Sequence, residues 1–329
     1  MASDLLADTA QALWYVAPGR AEMRTEALAS PAPKHVRVRT LYSALSRGTE
    51  TTVASGHVPP SEFERMRAPF MDGHFPFPVK YGYAVVGEIV ADAGDTAKRR
   101  VFALYPHQTE FNIPAAAVCL VPDAVPSRRA VLAANMETAL NAVWDGAPGP
   151  ADRIAIIGGG VVGALLAYLC GRIPGADVTL VDVKPARREL ARTLGVGFAA
   201  PEAARENCDL VFHASGTGEG LQTSLRLAGE ESKVVEVSWY GETKVTAALG
   251  GAFHSRRLQL ISSQVGTVAP SRRPRWSHAR RLAAALALLA DPRLDSLLEP
   301  DIPFHDLPHR LPQILDPKRG TLCQVISYP

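Results

Sequence analysis

The residues whose types and spacing could do chemistry fall into two groups. The first begins at Ile154-Ala-Ile-Ile-Gly158-Gly-Gly160-Val161-Val162-Gly163 and ends at Val178-Thr-Leu-Val-Asp182. An apolar run of strand type enters a Gly-x-Gly-x-x-Gly turn, and a helix-type run leaves it. A second apolar run then closes on an acid nineteen positions after Gly163. This combination predicts a dinucleotide-binding turn. Gly158 permits the tight turn, Gly160 lets backbone approach a pyrophosphate, and Gly163 lets the helix lie close to the strand. The backbone of Val161 and Val162 faces the pyrophosphate, where a helix N-terminus offers N–H groups and partial positive charge. Asp182 is spaced to accept hydrogen bonds from an adenine ribose. A carboxylate there repels a 2′-phosphate, so NAD is expected over NADP. Lys184, Arg187 and Arg188 weigh the other way, but they read as a solvated helix start.

The second group lies in the first third of the chain. Arg47 and Glu50 sit three residues apart in Ser46-Arg-Gly-Thr-Glu50, Tyr83 follows in Tyr81-Gly-Tyr83, and His107 lies in Tyr105-Pro-His-Gln. Arg47 is a permanent cation able to hydrogen-bond an oxygen or hold a carboxylate bidentately. Tyr83 can give or take a proton, and a neighbouring cation would lower its pKa. Glu50 is expected to pair with Arg47 and orient it. His107 is a second candidate proton carrier.

The elements that would position these groups change along the chain. His35-Val-Arg-Val-Arg-Thr-Leu alternates polar and apolar, as a half-buried strand does. Strands are also expected from Tyr83 to Val90 and from Arg100 to Tyr105, around a loop rich in Pro and aromatics. From about Ala130, strands and helices alternate, the pattern of a parallel sheet with crossovers. Strands are expected over 209–216, 233–237 and 258–266, with Ser215-Gly216 and Ser238 at carboxyl ends where ligands bind open sheets. His213 is expected to cap the sheet. A clear helix starts near His278, and a last strand near Leu322.

Composition limits the function. The chain has 329 residues, is 47% hydrophobic and carries a formal charge of +2, which argues against a nucleic-acid binder. No apolar run is long enough to span a bilayer. The acidic start, Met1 to Asp8, does not read as a signal peptide. Cys119, Cys170, Cys208 and Cys323 have no short spacing, which fits reduced thiols and a cytoplasmic location. Arg272, Arg273 and Arg275 precede the helix at His278, and cations oppose a helix N-terminus. A solvated basic loop or a site for an acidic substrate group would account for them.

In this order the segments resemble the medium-chain dehydrogenase/reductase superfamily over nearly the whole chain. That resemblance implies an α/β chain with a GroES-like β-rich catalytic domain at 1–137. A Rossmann domain with a doubly wound parallel sheet follows at 138–266, and a return to the catalytic domain at 267–329. Leu45-Ser-Arg-Gly-Thr-Glu50 sits where zinc members carry Cys-Gly-x-Asp, and Tyr81-Gly-Tyr-Ala-Val-Val-Gly87 where they carry Gly-His-Glu-x-x-Gly. Glu137-Thr138-Ala-Leu-Asn141 resembles the entry to the cofactor domain, and Ser262-Ser-Gln264-Val-Gly266 the segment under the nicotinamide. The departures matter equally. Arg47 (or Ser46, with a one-residue shift) replaces a zinc-binding Cys, Tyr83 a zinc-binding His, and the structural-zinc cysteines are missing. Zinc needs at least three N, S or O donors, so no metal is expected. The Ser-Arg-Gly-Thr-Glu and Tyr-Gly-Tyr motifs look most like the subgroup of bacteriochlorophyllide a dehydrogenase.

The resemblance implies a zinc-independent NAD(H) oxidoreductase acting on a small alcohol/ketone pair, with Tyr83, Arg47 and Glu50 as catalytic residues. Thr138 and Gln264 join Gly158 to Gly163, Asp182, Ser215, Gly216 and Ser238 as cofactor contacts. A homodimer would pair sheet edges near Leu258 to Ser262. The alternatives are an NADPH-dependent enoyl or quinone reductase and a dinucleotide-binding protein without turnover. The substrate partner is a small molecule, with neither nucleic acid nor membrane expected.

Overall fold

The computed structural model describes residues 8–91 and 98–329. The acidic start, apart from Asp8, lies outside the described residues. The chain divides into two compact units. One comprises Met1–Ala134, Leu286–Ala290 and Leu298–Pro329; the other comprises Asn135–Ala285 and Asp291–Leu297.

The first unit opens with a hairpin, β1 (Thr9–Ala17) and β2 (Arg20–Ala27), then β3 (His35–Leu45) and the helix α1 (Arg47–Ala54). Short strands β4 (Asp72–Gly73) and β5 (Val79–Lys80) precede β6 (Val85–Ala91), β7 (Arg100–Ala103), β8 (Glu110–Pro114) and β9 (Val118–Leu120). A short α2 (Ser127–Ala130) closes this part. The second unit takes α3 from Asn135 onward (the whole helix is Ala133–Gly146). It continues with β10 (Arg153–Ile157), α4 (Val161–Cys170), β11 (Asp177–Val181), α5 (Arg187–Leu194), β12 (Gly197–Ala199), β13 (Cys208–His213), α6 (Gly218–Leu227), β14 (Ala228–Glu236) and β15 (Gln259–Ser262). The helix α7 (His278–Leu288) follows. β16 (Leu298–Pro303), α8 (Leu307–Leu315) and β17 (Cys323–Ser327) return to the first unit.

Among the described residues the first unit holds a four-stranded sheet, β2-β1-β5-β4. It also holds a seven-stranded one, β16-β17-β3-β6-β7-β9, with β8 pairing β3. Val36, Val38, Val85, Ile89, Val101, Phe111 and Ile113 fill one core cluster between the strands. The alternation read in β3 fails at one point. Arg37 was expected on a solvent face and is 1% exposed. The pairing strand β8 covers that face with Glu110 and Asn112, which take the guanidinium at 3.2 and 2.6 Å. Burial of the cation is tolerable because it is paired and hydrogen-bonded.

The second unit is a six-stranded sheet of order β12-β11-β10-β13-β14-β15, parallel throughout. Strand order reverses direction at β10 and β13, the switch point where ligands bind such sheets. Both faces of its central strands are covered, and Ala155, Ile157, Val181, Val211, Leu225 and Val234 are buried in one cluster. Fully covered parallel strands read as continuous apolar runs, which is why Ile154-Ala-Ile-Ile stood out in the sequence. Among the described residues no helix is long and apolar enough to cross a membrane.

Candidate active and cofactor sites

In the first unit, α1 presents the Ser-Arg-Gly-Thr-Glu motif on its first turn. Glu50 turns back on the helix start, and its Oε1 accepts the backbone N–H of Ser46 at 2.8 Å. Its Oε2 accepts the Tyr15 hydroxyl at 2.7 Å and lies 3.1 Å from Nε2 of His107. Glu50 and His107 are both 0% exposed. On its far side the imidazole meets Ser43 Oγ at 2.8 Å, which in turn meets the Tyr328 hydroxyl at 2.8 Å. His107, read from the sequence as a second candidate proton carrier, is the centre of a buried chain of hydroxyl, imidazole and carboxylate.

Two expectations are corrected here. Glu50 takes its hydrogen bonds from Ser46, Tyr15 and His107, so it orders the start of α1 rather than steering Arg47. The Arg47 guanidinium donates from Nη1 to the Asp316 carbonyl at 3.5 Å. Tyr83 precedes β6, and its hydroxyl is bonded to the hydroxyls of Ser46 and Thr49. Burial pushes this phenol up to about 12, against the two hydroxyl bonds that lower it, and the Glu50 charge adds to the rise. The expected lowering by a cation gives way because desolvation of the phenolate dominates. Tyr83 is therefore a proton holder through neutral pH. The chain Glu50–Ser46–Tyr83 ties the carboxylate to the phenol through the helix start.

In the second unit the glycine turn has the predicted form. Gly158 has φ +105°, and a Cβ there would lie 2.7 Å from Ser215 N and Cα. A Cβ on Gly163 would lie 1.8 Å from the Gly158 carbonyl oxygen, so helix and turn touch only because it is absent. Gly160, the residue preceding α4, has nothing within 4 Å of a Cβ position. Val161 and Val162 open the helix behind it. The first-turn N–H groups thus border open space, a cradle that fits an anionic pyrophosphate.

Asp182 ends β11 beside this turn. Its Oδ2 accepts the Gly159 N–H at 2.6 Å and its Oδ1 the Lys184 N–H at 2.7 Å. These bonds fix the carboxylate against the glycine turn. Arg187 lies close by: its Cγ is 3.0 Å from where a Gly159 Cβ would be. Arg188 stacks over Phe198 at 4.8 Å.

Ser215 and Gly216 lie in the turn between β13 and α6, and Ser238 just beyond β14. The Gly216 N–H donates to Ser238 Oγ at 3.1 Å. Gly158, Asp182, Ser215, Gly216 and Ser238 thus gather at the carboxyl ends of neighbouring strands. Gln264 folds back on its own loop, accepting the Gly266 N–H at 2.6 Å, and Thr138 lies on α3.

Two polar groupings in this unit were not assembled from the sequence, where His213 reads only as a cap on the sheet. His213, 0% exposed, holds Glu236 Oε2 at 2.7 Å through Nδ1 and Ser215 Oγ at 2.6 Å through Nε2. Tyr240 donates to Glu236 Oε2 at 2.9 Å, and the Ser238 N–H to Oε1 at 2.7 Å. Burial acts to raise the Glu236 pKa, but the His213 and Ser238 bonds hold it below the usual carboxylate value. The second grouping is Arg281, 1% exposed. It meets Glu137 at 3.0 Å and Asn141 at 2.5 Å, and it donates to the carbonyls of Thr267 and Val265. A polar residue closing each of two strands after an apolar run, at positions that register places side by side (His213 after Leu210-Val-Phe, Glu236 after Val234-Val), was the signal available.

The basic segment before α7 has protein partners. Arg272 lies over the Trp144 ring at 5.6 Å, Arg273 donates to the Val268 carbonyl at 2.8 Å, and Arg280 to that of Arg275 at 2.7 Å.

No family model matches the chain. Among curated proteins, it is 25% identical over 142 residues to 2-dehydro-3-deoxy-L-galactonate 5-dehydrogenase of Pseudoalteromonas atlantica, covering 40% of this chain and 41% of that one. It is 30% identical over 119 residues to L-threonine 3-dehydrogenase of Edwardsiella ictaluri, covering 36% and 34%. The chain thus spans about two fifths or less of the length of these relatives. Solved structures match far more broadly. Acetophenone reductase from Geotrichum candidum, in complex with NAD, superposes with a TM-score of 0.78 over 98% of each chain at 17% identity. A Sinorhizobium meliloti structure assigned to the zinc-binding dehydrogenases and bound to NADP gives 0.77 over 98% and 100%, also at 17%. The 2R,3R-butanediol dehydrogenase from Bacillus subtilis gives 0.73 over 97% and 99% at 15%. The chain has the fold of the medium-chain dehydrogenases/reductases, with its antiparallel and parallel sheets in the expected order.

Proposed function

We propose that this protein is a zinc-independent NAD(H) oxidoreductase of the medium-chain type that interconverts a small alcohol and a ketone. The observation that carries this reading is the turn at Gly158 to Gly163, open at Gly160 and closed at Gly163, with the Asp182 carboxylate fixed beside it. Asp182 favours NAD, since its charge would face a 2′-phosphate. Ser215, Gly216, Ser238, Thr138 and Gln264 are the further cofactor contacts of this reading.

A bound nicotinamide supplies or accepts the hydride. The chain's own contribution is the proton and the stabilisation of charge on oxygen. Tyr83 keeps its proton at neutral pH, which suits it to donate to an oxygen as a ketone is reduced. Ser46 and Thr49 hold its hydroxyl, and Glu50 holds Ser46. Arg47 stabilises developing negative charge on that oxygen. The donor set suits zinc poorly. Arg47 cannot coordinate, the Tyr83 phenol resists ionisation, and Glu137 is engaged by Arg281.

A second reading, an NADPH-dependent reductase, draws on Arg187. Its side chain lies against Gly159 beside Asp182, where it would meet a 2′-phosphate. Within the first reading, the basic segment at Arg272 and Arg273 suits a substrate with an acidic group. A homodimer pairing β15 edge to edge suits the exposed Leu260 on that strand, and the reading places the protein in the cytoplasm.

The test is titration of metal-analysed protein with NADH and NADPH, followed by a screen of secondary alcohols and ketones. Tight NADH binding and turnover without zinc are expected. Preference for NADPH moves the reductase reading forward, and failure to bind either cofactor ends both.

A further inference from the structure

The Ser215–His213–Glu236 chain has the connectivity of a hydrolytic triad, yet Ser215 Oγ is already engaged by its own neighbours. Its Oγ is engaged by His213 Nε2 at 2.6 Å, Thr217 Oγ1 at 3.1 Å and the Thr217 N–H at 3.3 Å. It also lies 2.0 Å from where a Gly220 Cβ would be, packed under the first turn of α6. What the chain does offer is a path from a buried imidazole to an exposed hydroxyl. Thr217 is exposed, and its Oγ1 also accepts the Gly220 N–H at 3.1 Å.

The hydrogens in this path have two complete arrangements. With His213 neutral, Nδ1–H donates to Glu236 and Nε2 accepts the Ser215 hydroxyl hydrogen. Ser215 Oγ then accepts the Thr217 N–H and the Thr217 hydroxyl hydrogen, and Thr217 turns a lone pair outward. When His213 takes a proton from solvent, Nε2–H donates to Ser215 Oγ. The Ser215 hydrogen swings to Thr217 Oγ1, whose second lone pair stays with Gly220. The Thr217 hydrogen must then point outward. Each oxygen keeps two acceptors' worth of lone pairs and one donor in both states. One proton gained at His213 therefore appears as one hydrogen-bond donor at Thr217.

We propose that ligand binding in this unit is proton-linked through His213: a ligand acceptor oxygen at Thr217, with negative charge nearby, is held more tightly when His213 is protonated. The proposal rests on the dinucleotide reading, since Thr217 lies at the carboxyl end of β13, next to Ser215 and Gly216. Of the titratable groups, Glu236 on β14 and Tyr240 beyond it face the imidazole. Ile157 on β10 and Gly220 on α6, which also lie beside it, bring none. Glu236 compensates the imidazolium, so the charged state is admissible at a buried site. His213, Ser215 and Thr217 act here as positioning residues.

The experiment is calorimetric titration with NADH between pH ~5.5 and ~8.5, where imidazoles titrate, at constant ionic strength. Two buffers of different ionisation heat count the protons taken up. Wild type is expected to take up a fraction of a proton, with Kd weakening as pH rises by at most about tenfold per unit for a single linked proton. Ser215→Ala breaks the path while leaving His213 and Glu236 in place, and should give a flat Kd and no uptake. Thr217→Ser keeps the path and should keep the uptake. Equal uptake in wild type and Ser215→Ala overturns the proposal. Should Ser215→Ala fail to fold, ¹⁵N-imidazole spectra of wild type decide. NADH should raise the titration midpoint of His213, and an unmoved midpoint overturns the proposal. Absence of NADH binding to wild type at every pH instead overturns the dinucleotide reading.

Discussion

Two single-methyl substitutions separate binding from folding at the glycine turn. Gly160 has φ −74° and ψ −175°, which alanine adopts freely, and its Cβ would meet nothing within 4 Å. Gly160→Ala should cost only the modest preference for glycine over alanine before a helix, at most about 1 kcal/mol. For a unit of this size that is roughly 2–4 °C in Tm. The added methyl would stand in the space that a pyrophosphate must enter. Loss of one or two charge-assisted hydrogen bonds, about 1.5–3 kcal/mol each, weakens NADH by about 10- to 1,000-fold or more. At Gly163 the same methyl would lie 1.8 Å from the Gly158 carbonyl oxygen. Helix and turn must separate, and overpacking of that kind costs about 1–3 kcal/mol or more. Thermal melts and NADH titrations of both variants are the assay. Stability nearly intact with binding lost in Gly160→Ala, and both lost in Gly163→Ala, is the expected pattern. Gly160→Ala binding NADH as wild type does would refute the assignment of that space to the cofactor.

Three further outcomes follow from the structure. Burial raises the phenols of Tyr15, Tyr81, Tyr83, Tyr105 and Tyr328, with Tyr83 and Tyr105 pushed up to about 12. Above pH ~10 the unfolded chain loses phenolic protons that the folded one keeps, so stability should fall as pH rises through that window. Tyr83→Phe should flatten that fall in denaturant melts. Arg281→Ala leaves Glu137 buried without its cation and should destabilise by about 3–5 kcal/mol. Burial already raises the Glu137 pKa, so the loss should be smaller near pH 5, where the carboxyl can protonate, than near pH 8. Asp182→Ala should weaken NADH about tenfold and NADPH little, read as the ratio of their dissociation constants, because only NADH loses an acceptor for its 2′-hydroxyl. It also frees the Gly159 and Lys184 N–H groups, so Asp182→Asn should retain more of the turn's order.

The sequence made the second unit legible because its message is local. A strand, three glycines, a helix and an acid follow one another, and the folded turn uses them in that order. The first unit was harder to read because its site is assembled across long separations. Glu50 meets Tyr15 thirty-five residues away and His107 fifty-seven away, and no spacing rule links them. Arg37 shows the same limit within a strand. Alternation placed it outward, and a partner seventy-five residues on made burial possible. The Tyr83 pKa was misread for a related reason. A neighbouring cation was the effect considered, whereas the sign follows from burial, which only the folded chain reveals.

The two units use a histidine and a carboxylate to different ends, and the contrast follows from where each chain of hydrogen bonds leads. In the first unit, His107, Glu50 and Tyr15 are all fully buried. At the carboxylate end their bonds stop on the Ser46 N–H and so fix the start of α1, where Ser46 and Thr49 hold Tyr83; at the other end they pass from His107 through Ser43 Oγ to the Tyr328 hydroxyl. A backbone N–H cannot pass a proton onward, so at α1 the contribution of Glu50 is order, as it is for Glu236 where that carboxylate takes the Ser238 N–H. In the second unit the chain from Glu236 through His213 runs only over hydroxyls and ends at an exposed one, Thr217. Hydroxyls can reverse direction where an amide cannot. The same pair of residue types thus holds a phenol still in one unit, and in the other can report its protonation to a ligand.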